Sequence, residues 1–471
     1  MDLLLLQQLR RFEQMNQGAC HYFQFGYLPE PASPFRAIRK LMPGCWLQYD
    51  EAGGARQDRY WKLPVSAERE PAGITRERMR DLVRETVDEA VRIRMLADVP
   101  LGAFLSGSID SSSVVASMAL QSPDPVKTFS IGFEEAAFNE LDYARAVATK
   151  YKTEHYEILV KPDSVDLISR LVKHFDEPFA DSSAIPTYIV SEFAARHVKV
   201  ALSGDGGDEL FAGYESFFKI EQMRKFDSLP QALRRLSGWV AARLPYAAYG
   251  KNYLHMISRP SALDRYFEFN YTPYFLRRQL VKKEWMLPED RGFLLGRMAE
   301  FLPPNGADVL TQALYFEATA NLTGDMLVKV DRMSMANSLE VRCPLLDHRL
   351  AELAADIPHA WKMSHGTGKA ILLEAIGDRL PAELLRRPKM GFDVPLSIWF
   401  RGPLRDFLAD HLAGECIRRG ILSPGFIRYL IEEHQRGRRN NSHRLWGLLM
   451  LELWLREWQP AREKTAAGTL A

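Results

Sequence analysis

Small hydroxyl residues are concentrated in one short run, residues 106–112, which reads Ser-Gly-Ser-Ile-Asp-Ser-Ser. Glycine and serine let backbone N–H groups approach phosphate oxygens, and the serine hydroxyls add further donors. The carboxylate of Asp110 would repel phosphate unless a cation lay between the two groups. The run therefore predicts binding of a polyphosphate together with Mg²⁺. The alternative interpretation is a Ser/Gly-rich turn without a ligand.

An apolar run precedes this loop and a helix-forming run follows it. Residues 101–105 are almost all apolar, as in a buried strand of a parallel sheet, and residues 111–120 suit a helix packed on that sheet. The helix would place the positive end of its dipole at the loop. Neither Gly-Lys-Ser nor Gly-Lys-Thr occurs in the chain, so the common mononucleotide loop is excluded. The run resembles the PP-loop, Ser-Gly-Gly-x-Asp-Ser, in whose family ATP is cut between the α- and β-phosphates.

The run departs from the PP-loop pattern at Ser108, where the family has glycine. If that glycine were needed for a positive φ, serine would cost about 1–2 kcal/mol. We expect a negative φ at this position because the surrounding motif is intact. The serine hydroxyl could then donate to a phosphate oxygen.

A second acidic motif, Ser203-Gly-Asp-Gly-Gly-Asp-Glu-Leu-Phe-Ala-Gly-Tyr214, follows another apolar run, residues 198–202. Asp205, Asp208 and Glu209 fall within five positions, although like charges repel when they are crowded into one turn. A bound metal–nucleotide complex at the end of the strand would relieve that repulsion. The alternative is an Asp/Gly turn that leads into a helix with acidic residues at its favoured end.

Strand-like and helix-like runs alternate around both motifs. Further strands are predicted at 128–133 and 155–160, and helices are predicted at 75–97, 141–151, 163–174 and 186–196. This alternation predicts an α/β fold with a doubly wound parallel sheet and ligands at the carboxyl ends of its strands. Residues 215–460 read as helices, without an internal repeat.

The overall composition is ordinary for a soluble globular enzyme: 471 residues, 46% apolar and 26% charged. A net charge of +1 gives no global basic field, so neither nucleic acid nor an anionic membrane is a predicted partner. The 4 cysteines form no Cys-x-x-Cys pair, and the apolar run Leu3–Leu6 is too short for a signal peptide. We predict a cytoplasmic protein.

Together the two motifs resemble the synthetase domain of the glutamine-hydrolysing asparagine synthetase family, over roughly residues 64–460. Three further segments carry the resemblance: 176–186, 331–347 and 387–392. The resemblance implies a PP-loop ATP pyrophosphatase fold, of the adenine nucleotide α-hydrolase-like type, with a large helical C-terminal part. It divides the chain into the tail of a glutaminase domain (1–62), a synthetase domain (63–460) and a disordered tail (461–471). Asp2 stands where the family has its nucleophilic cysteine, so glutaminase activity is not expected.

The resemblance also implies the chemistry. In that family ATP activates the side-chain carboxylate of aspartate as an acyl-adenylate with release of pyrophosphate, and ammonia then displaces AMP. The implied cofactors are ATP and Mg²⁺, with the metal on Asp110 and Asp208. Asp205 occupies the position tied to formation of the intermediate, Lys389 would lie by the α-phosphate, and Glu340 is a candidate for acceptor binding or proton transfer. Without the resemblance, Lys389 would read as an exposed lysine.

The resemblance places a set of residues against the nucleotide and its pyrophosphate. The predicted nucleotide contacts are Leu105, Ile131, Ser203 and Gly204, and the predicted pyrophosphate contacts are Ser106, Gly107, Ser108, Asp110, Ser111 and Ser112. From local sequence alone, Ile131 reads equally well as a core residue.

Other functions share this scaffold and stay open. β-Lactam synthetases resemble this chain but carry a tyrosine at the position of Asp205; lasso-peptide cyclases and sugar-modifying amidotransferases are not excluded. A subunit that has lost catalysis is a further alternative, against which the joint presence of Asp110, Asp205, Asp208 and Lys389 argues. The predicted partners are ammonia, aspartate or another carboxylate acceptor, and a separate glutaminase, while a homodimer is left open.

Overall fold

A computed structural model describes residues 18–35, 38–64, 73–160, 165–246, 248–268, 271–286, 301–303, 307–364, 366–385, 391 and 394–458. Within these residues the chain forms one antiparallel hairpin and one five-stranded parallel sheet surrounded by helices. The hairpin consists of β1 (Cys45–Asp50) and β2 (Gly54–Arg59). The sheet has the order β5-β4-β3-β6-β7, and its strands are β3 (Leu101–Phe104), β4 (Lys127–Phe133), β5 (Glu154–Val160), β6 (Val200–Leu202) and β7 (Glu340–Arg342).

The helices fall before, between and after these strands. Up to the end of β6 they are α1 (Gly18–Phe25), α2 (Arg76–Arg94), α3 (Ile109–Gln121), α4 (Leu141–Tyr151), α5 (Val165–His174) and α6 (Ala184–Ala194). Between β6 and β7 they are α7 (Gly207–Leu210), α8 (Glu215–Met223), α9 (Gln231–Arg243), α10 (Lys251–Ser258), α11 (Ala262–Glu268), α12 (Tyr274–Leu280), α13 (Val309–Phe316), a π-helical stretch (Glu317–Met326) and α14 (Leu327–Met335). After β7 they are α15 (His348–Ala355), α16 (His359–Lys362), α17 (Ala370–Ile376), α18 (Ala382–Leu385), α19 (Leu396–Trp399), α20 (Arg405–Leu412), α21 (Glu415–Arg418), α22 (Pro424–Gln435) and α23 (Ser442–Trp458).

Among the described residues, short 3₁₀ turns lie at Ala136–Phe138, Arg224–Phe226, Lys283–Trp285, Pro344–Leu346 and Gly377–Arg379. The strands and helices predicted between residues 75 and 202 are all present, with ends that shift by up to three residues. Helix ends fray and their assignment commonly varies by one or two residues, so shifts of this size leave the predicted order of elements intact.

Helices cover both faces of the parallel sheet. Along β6, Val200 and Leu202 pack into the apolar cluster formed with α2, α3 and α4, whereas Ala201 packs into the cluster formed with α6. Side chains alternate between faces along a strand, so apolar residues at successive positions require apolar layers on both sides. The doubly wound α/β arrangement predicted from the sequence is therefore present.

The long helix α2 shows why such segments fold as predicted. Its buried residues include Met79, Val83 and Val87, whose spacing of four places them on one stripe. The side chain of Thr75 caps the first turn by accepting from the N–H of Arg78 at 3.3 Å. This stripe forms part of the layer beneath the sheet.

The strand β7 corrects the prediction that residues 215–460 are helical. It has only three residues and pairs in parallel with β6, Val200 opposite Glu340 and Leu202 opposite Arg342. So short a strand, with charged residues at both ends, carries no alternating apolar pattern. Its strand conformation is set by pairing with a distant partner.

The last described helix, α23, is buried over most of its length, including Trp446 and Trp454. The sequence predicts a packed amphipathic helix here because Glu452, Arg456 and Glu457 interrupt the apolar run. The helix is packed and Glu457 is exposed, but Glu452 is only 1% exposed and accepts hydrogen bonds from the backbone N–H groups of Glu415 and Cys416. Arg456 donates to the same carboxylate at 2.7 Å, so the interrupting charges neutralise one another. Within the described part of the chain, we find no helix with the length and apolar character that crossing a membrane requires.

Residues before the predicted boundary at position 62 pack into the helical core. Tyr22 and Phe23 of α1 are almost completely buried, and the hydroxyl of Tyr22 donates to the carbonyl of Gly447 at 2.7 Å. The β1–β2 hairpin, by contrast, is exposed along most of its length. The division at residue 62 stays a prediction, and the packing of α1 crosses it. The predicted tail, 461–471, lies outside the described residues.

Candidate active site

A cavity of about 690 Å³ opens at the carboxyl ends of β3, β4 and β6. It is lined by residues of both predicted motifs. Of the predicted site residues, those in its lining are Leu105, Ser106, Gly107, Ser108, Asp110, Ser111, Ile131, Ser203, Gly204, Asp205 and Asp208. The two motifs, far apart in sequence, therefore meet across one space.

Three predicted site residues are not in that lining. Ser112 is fully buried. Glu340 lies at the first position of β7, at the opposite edge of the sheet from the cavity, where its half-exposed side chain pairs with Arg342 at 2.7 Å. Since ligands bind beyond the carboxyl ends of parallel strands, this placement does not support a role for Glu340 in acceptor binding. Lys389 lies outside the described residues, and its role stays a prediction.

The turn after β3 depends on one glycine and tolerates the serine that follows it. Gly107 has φ +73°, and a Cβ there would lie 2.6 Å from the backbone N of Ala144. Ser108 has φ −72°, so the expectation of a negative φ at this position is confirmed. As the N-cap of α3 its hydroxyl accepts from the N–H of Ser111. The side chain thus stabilises the start of the helix without backbone strain.

Three hydroxyl groups converge at the start of α3. The Oγ atoms of Ser106, Ser108 and Ser111 lie 3.1 Å from one another. Each hydroxyl can donate one hydrogen bond and accept others, and here the three satisfy one another. The group lies at the N-terminus of a 13-residue helix, where backbone N–H groups and the helix dipole favour an anion. Phosphate oxygens are acceptors that suit these donors.

Two glycines of the second motif allow it to lie directly against the first. A Cβ at Gly204 would fall 2.5 Å from the backbone N of Ser111, and one at Gly207 would fall 2.2 Å from Oδ1 of Asp110. Any larger residue would force the motifs apart. The glycines at these positions are therefore explained by the contact between the two loops.

Asp110 and Asp208 face each other across the ammonium group of Lys369. The Nζ atom of Lys369 contacts Oδ2 of Asp110 and lies 2.7 Å from Oδ1 of Asp208. Burial lowers the pKa of Lys369, but the two carboxylates outweigh that effect and raise its pKa well above the usual value. The pair of carboxylates offers the oxygen donors that Mg²⁺ prefers, and the structure itself holds a cation between them. The predicted metal ligands thus fit the metal.

The position of Asp110 differs from expectation in one respect. Both carboxylates are predicted in loop turns, but each lies in the first turn of a helix, Asp110 in α3 and Asp208 in α7, and Asp110 is only 6% exposed. Its ion pair with Lys369 is buried. Replacing Asp110 by a smaller residue would leave that lysine without part of its counter-charge.

Sequence reasoning missed Lys369, although it lines the same cavity. It is separated from Asp110 by 259 positions, and the turn Gly366-Thr-Gly before it is ordinary loop sequence. A glycine again makes the contact possible, because a Cβ at Gly213 would lie 1.9 Å from Oδ1 of Asp208 and 2.2 Å from Cε of Lys369. No local signal in the sequence would have identified this lysine.

An acidic wall lies beside Asp110 and Asp208. Asp205 accepts from the hydroxyl of Ser203 at 2.7 Å, and Glu209 accepts from the hydroxyl of Tyr214. Burial, reinforced by the charge of Asp208, raises the pKa of Glu209 to about 7. The wall therefore combines a carboxylate that accepts a hydrogen bond from a serine hydroxyl with one that can exchange a proton near neutral pH.

A second buried ion pair lines the cavity and was also missed. The Nζ of Lys329 lies 2.7 Å from Oδ2 of Asp181 and 2.7 Å from the hydroxyl of Ser183. Burial and the nearby charge of Asp181 raise the pKa of Asp325 well above its usual value. Asp181 and Ser183 belong to segment 176–186, which the resemblance had singled out without assigning roles.

The remaining wall is apolar. Phe104, Leu105, Phe129, Ile131 and Val190 line it. A flat apolar surface at the carboxyl edge of the sheet is suited to a planar base. Ile131 lies in this wall, as predicted for a residue beside adenine.

Comparison with known proteins gives a consistent result. The family model for asparagine synthase matches residues 82–456. The chain is 31% identical over 435 residues to asparagine synthetase [glutamine-hydrolyzing] 1 of Bacillus subtilis (strain 168), covering 92% of this chain and 67% of that protein. It is 33% identical over 440 residues to a putative asparagine synthetase [glutamine-hydrolyzing] of Mycobacterium tuberculosis (92% and 66% covered), and 28% identical over 435 residues to the amidase chyE of Penicillium rubens (83% and 63% covered). The chain spans about two thirds of the length of these curated relatives.

Proposed function

The chain belongs to the asparagine synthase family, and from this premise we propose that it joins ammonia to a carboxylate as ATP is cleaved to AMP and pyrophosphate. The proposed acceptor is the side-chain carboxylate of aspartate, and the product is asparagine. The observation that carries the proposal is the meeting of the serine-rich loop and the second motif across one cavity, with Asp110 and Asp208 flanking one positive charge. We also propose that the sheet is of the PP-loop ATP pyrophosphatase type.

The proposed reaction has two steps. In the first, an acceptor carboxylate oxygen attacks the α-phosphorus, the bond to the bridging oxygen of the β-phosphate breaks, and pyrophosphate leaves. In the second, the nitrogen of ammonia attacks the acyl carbon, AMP leaves, and the nitrogen loses a proton. Both steps require control of negative charge at the phosphates and at the acyl group.

The residues at the start of α3 would hold the leaving pyrophosphate. The hydroxyls of Ser106, Ser108 and Ser111 and the N–H groups of the first helical turn are its hydrogen-bond donors. Mg²⁺ on Asp110 and Asp208 would supply neutralisation of the pyrophosphate charge. In the proposal, Lys389 stabilises charge on the α-phosphate, as the resemblance implies.

The acidic wall would receive the acceptor and the ammonia. Asp205 stands at the position that the resemblance ties to the intermediate, and its hydroxyl partner Ser203 fixes the carboxylate. Carboxylates at Asp181, Asp205 and Glu209 suit the ammonium group of an amino-acid acceptor. We propose that ammonia arrives either free or from a separate glutaminase, in a protein that works in the cytoplasm.

The test is ATP–pyrophosphate exchange with aspartate and Mg²⁺, with analysis of the nucleotide product. We expect exchange that depends on aspartate and AMP as the product; ADP and phosphate would contradict the proposal. Asp110→Asn should reduce exchange on the order of a hundredfold or more, because the metal loses a charged ligand. Asp142→Asn is the matched control, since Asp142 also lies in the first turn of a helix but is 93% exposed. Release of glutamate from glutamine alone would contradict the proposed ammonia source.

A second candidate is amide formation on another acceptor, such as a peptide or a sugar. It is favoured by the likeness to a protein named as an amidase. The same exchange assay separates the two functions, because only the true acceptor supports exchange. Exchange with a peptide or amino sugar, and none with aspartate, would favour the second candidate.

A further inference from the structure

Lys369 occupies the place that a divalent cation would take between Asp110 and Asp208. Its ammonium group contacts both carboxylates, and only 7% of its side chain is exposed. The two acids come from different motifs and would repel each other without a positive charge between them. In the structure, the lysine supplies that charge.

The backbone around Lys369 is built to direct this side chain into the cavity. Lys369 itself has φ +57°, an unusual conformation for a residue with a Cβ, and its N–H donates to the carbonyl of Phe211 at 2.9 Å. A Cβ at Gly368 would lie 2.2 Å from the carbonyl oxygen of Ala212. A left-handed conformation costs about 1–2 kcal/mol and persists only where surrounding contacts impose it. The backbone position of the lysine is therefore a fixed feature of the fold, from which its side chain reaches the cavity.

An ammonium group and Mg²⁺ cannot share this place. Magnesium binds carboxylate oxygens at about 2.1 Å, so a metal between these two carboxylates would lie within a few ångströms of the ammonium group that now contacts them both. Two cations at such distances would also repel each other. Entry of the metal thus requires the ammonium group to move to another anion.

The phosphates of a nucleotide are the anions within reach. The cavity that holds the serine hydroxyls also holds Lys369 and the turn before it, Gly366 to Gly368. The phosphate loop itself has no lysine, although many phosphate loops use one to bind the β- and γ-phosphates. A lysine displaced from the carboxylates would supply that missing contact.

We propose that Lys369 is the resident cation of this site: it holds Asp110 and Asp208 together and excludes free divalent metal until a nucleotide brings phosphates that take up the ammonium group. The proposal rests on the proposed binding of ATP in this cavity. Its consequence is an order of binding, in which the metal enters with the nucleotide and not before it.

The experiment measures Mn²⁺ binding by electron paramagnetic resonance, with Mn²⁺ as the probe for the metal site. Without nucleotide, wild-type protein and Asp110→Asn should bind Mn²⁺ equally weakly, because the site at Asp110 is closed to the metal in wild type. Lys369→Met without nucleotide should bind Mn²⁺ at least about tenfold more tightly than wild type, which is a change of about 1.4 kcal/mol. Adding Asp110→Asn to Lys369→Met should abolish the gain, which assigns the metal to this site.

Two results would overturn the proposal. One is Mn²⁺ binding to nucleotide-free wild type that depends on Asp110; the other is a folded Lys369→Met protein that gains no affinity. Because the variant removes the positive charge that contacts both carboxylates, its melting temperature is measured with and without Mn²⁺, and we expect Mn²⁺ to raise it in Lys369→Met and not in wild type. Lys362→Met, which removes another buried lysine outside the cavity, is the control and should gain no Mn²⁺ affinity.

A further arm adds ATP with a methylene group between its α- and β-phosphates, which cannot be cleaved there. In wild type this compound should bring Mn²⁺ into the site. If it does not, the proposed nucleotide site is wrong. The Mn²⁺ measurements without nucleotide still show whether Lys369 keeps the metal out. If Lys369→Met does not fold, Lys369→Gln replaces it and the wild-type arms are unchanged.

Discussion

Ser108 replaces a glycine without strain, because its φ of −72° is open to any residue. We therefore expect Ser108→Gly to change ATP affinity by less than about tenfold, or roughly 1.4 kcal/mol, measured by titration calorimetry. Ser108→Ala should lower stability by about 1 kcal/mol, since it removes the hydroxyl that caps α3, and glycine should lower it less. A large gain in turnover for the glycine variant would show instead that the natural loop is impaired.

Lys362 is a buried lysine whose removal should stabilise the protein. Burial, only partly offset by Asp356, lowers its pKa to about 8 from an unfolded value near 10.4. Below pH 8 the lysine is charged in both states, so folding carries the full cost of burying that charge. Between about pH 8 and 10.4 the unfolded chain binds more protons than the folded one, and stability rises with pH. Lys362→Met should therefore stabilise by up to about 3 kcal/mol at pH 7 and by progressively less as the pH rises.

Urea unfolding at a series of pH values from 7 to 10 measures this effect. Lys199→Met, at an exposed lysine, is the control and should show no comparable dependence on pH. If Lys362→Met and Lys199→Met changed the free energy of unfolding equally at every pH, burial of the Lys362 charge would not be destabilising as proposed.

Individual site residues differ in how far the sequence identifies them. Asp110 and Asp208 stand in motifs whose residue types already imply phosphate and metal chemistry, and the structure brings them to one cavity. Lys369 carries no such signal, because its partners are remote in sequence and only the fold joins them. Glu340 lies in a segment that resembles the family, but at the first position of its strand, away from the cavity, and its role stays a prediction. Residue type therefore predicts a role at the site only when the sequence also shows at which end of a strand the residue lies.

At the scale of elements, the contact between the two motifs depends on the absence of side chains. Gly213 should be the most sensitive point, because an added Cβ would collide with both Asp208 and Lys369. We expect Gly213→Ala to weaken nucleotide binding on the order of tenfold or more, since it would displace both Asp208, the proposed metal ligand, and Lys369, the proposed phosphate contact. Calorimetric titration with ATP and Mg²⁺ measures the loss.

Gly425→Ala is the matched control for this substitution. Gly425 lies in α22, and an added Cβ there would meet no atom within 4 Å. Alanine in a helix should raise stability by up to about 1 kcal/mol and leave nucleotide binding unchanged. Unchanged binding in Gly213→Ala would contradict the requirement for close approach.

The elements themselves divide by length and pattern into those that the sequence predicts and those that it does not. The helix at 76–94 and the strands at 127–133 and 154–160 have enough residues for their periodicity to show. The strand at 340–342 is too short for any pattern. It pairs in parallel with residues 200–202 only through the long crossover connection between residues 202 and 340. The helix at 442–458 is predicted to be amphipathic from its charged residues, whereas Glu452 is buried and accepts from Arg456 and from two backbone N–H groups.

At the scale of the molecule, the segment near residue 20 belongs energetically to the helical core. Phe23 is 1% exposed, so Phe23→Ala should lower the free energy of unfolding by about 3–5 kcal/mol. Leu47→Ala, on the exposed hairpin, should change it by no more than about 0.5 kcal/mol. Urea unfolding followed by helical circular dichroism measures both. If Phe23→Ala changed the free energy of unfolding as little as Leu47→Ala, residues 18–25 would not contribute to the stability of the helical core.

The hydrogen bond between Tyr22 and Gly447 also implies a delay during biosynthesis, because it cannot form until nearly the whole chain has been synthesised. Its two ends are 425 residues apart, and ribosomes add roughly 5–20 residues per second, so the donor emerges some 20–85 s before its acceptor exists. Throughout that interval the aromatic side chains of α1 lack part of the surface that covers them in the folded protein. Nascent chains with exposed aromatic segments bind chaperones and are prone to aggregate. Yield in a cell should therefore depend on translation speed and chaperone supply more strongly than the stability of the finished protein would indicate.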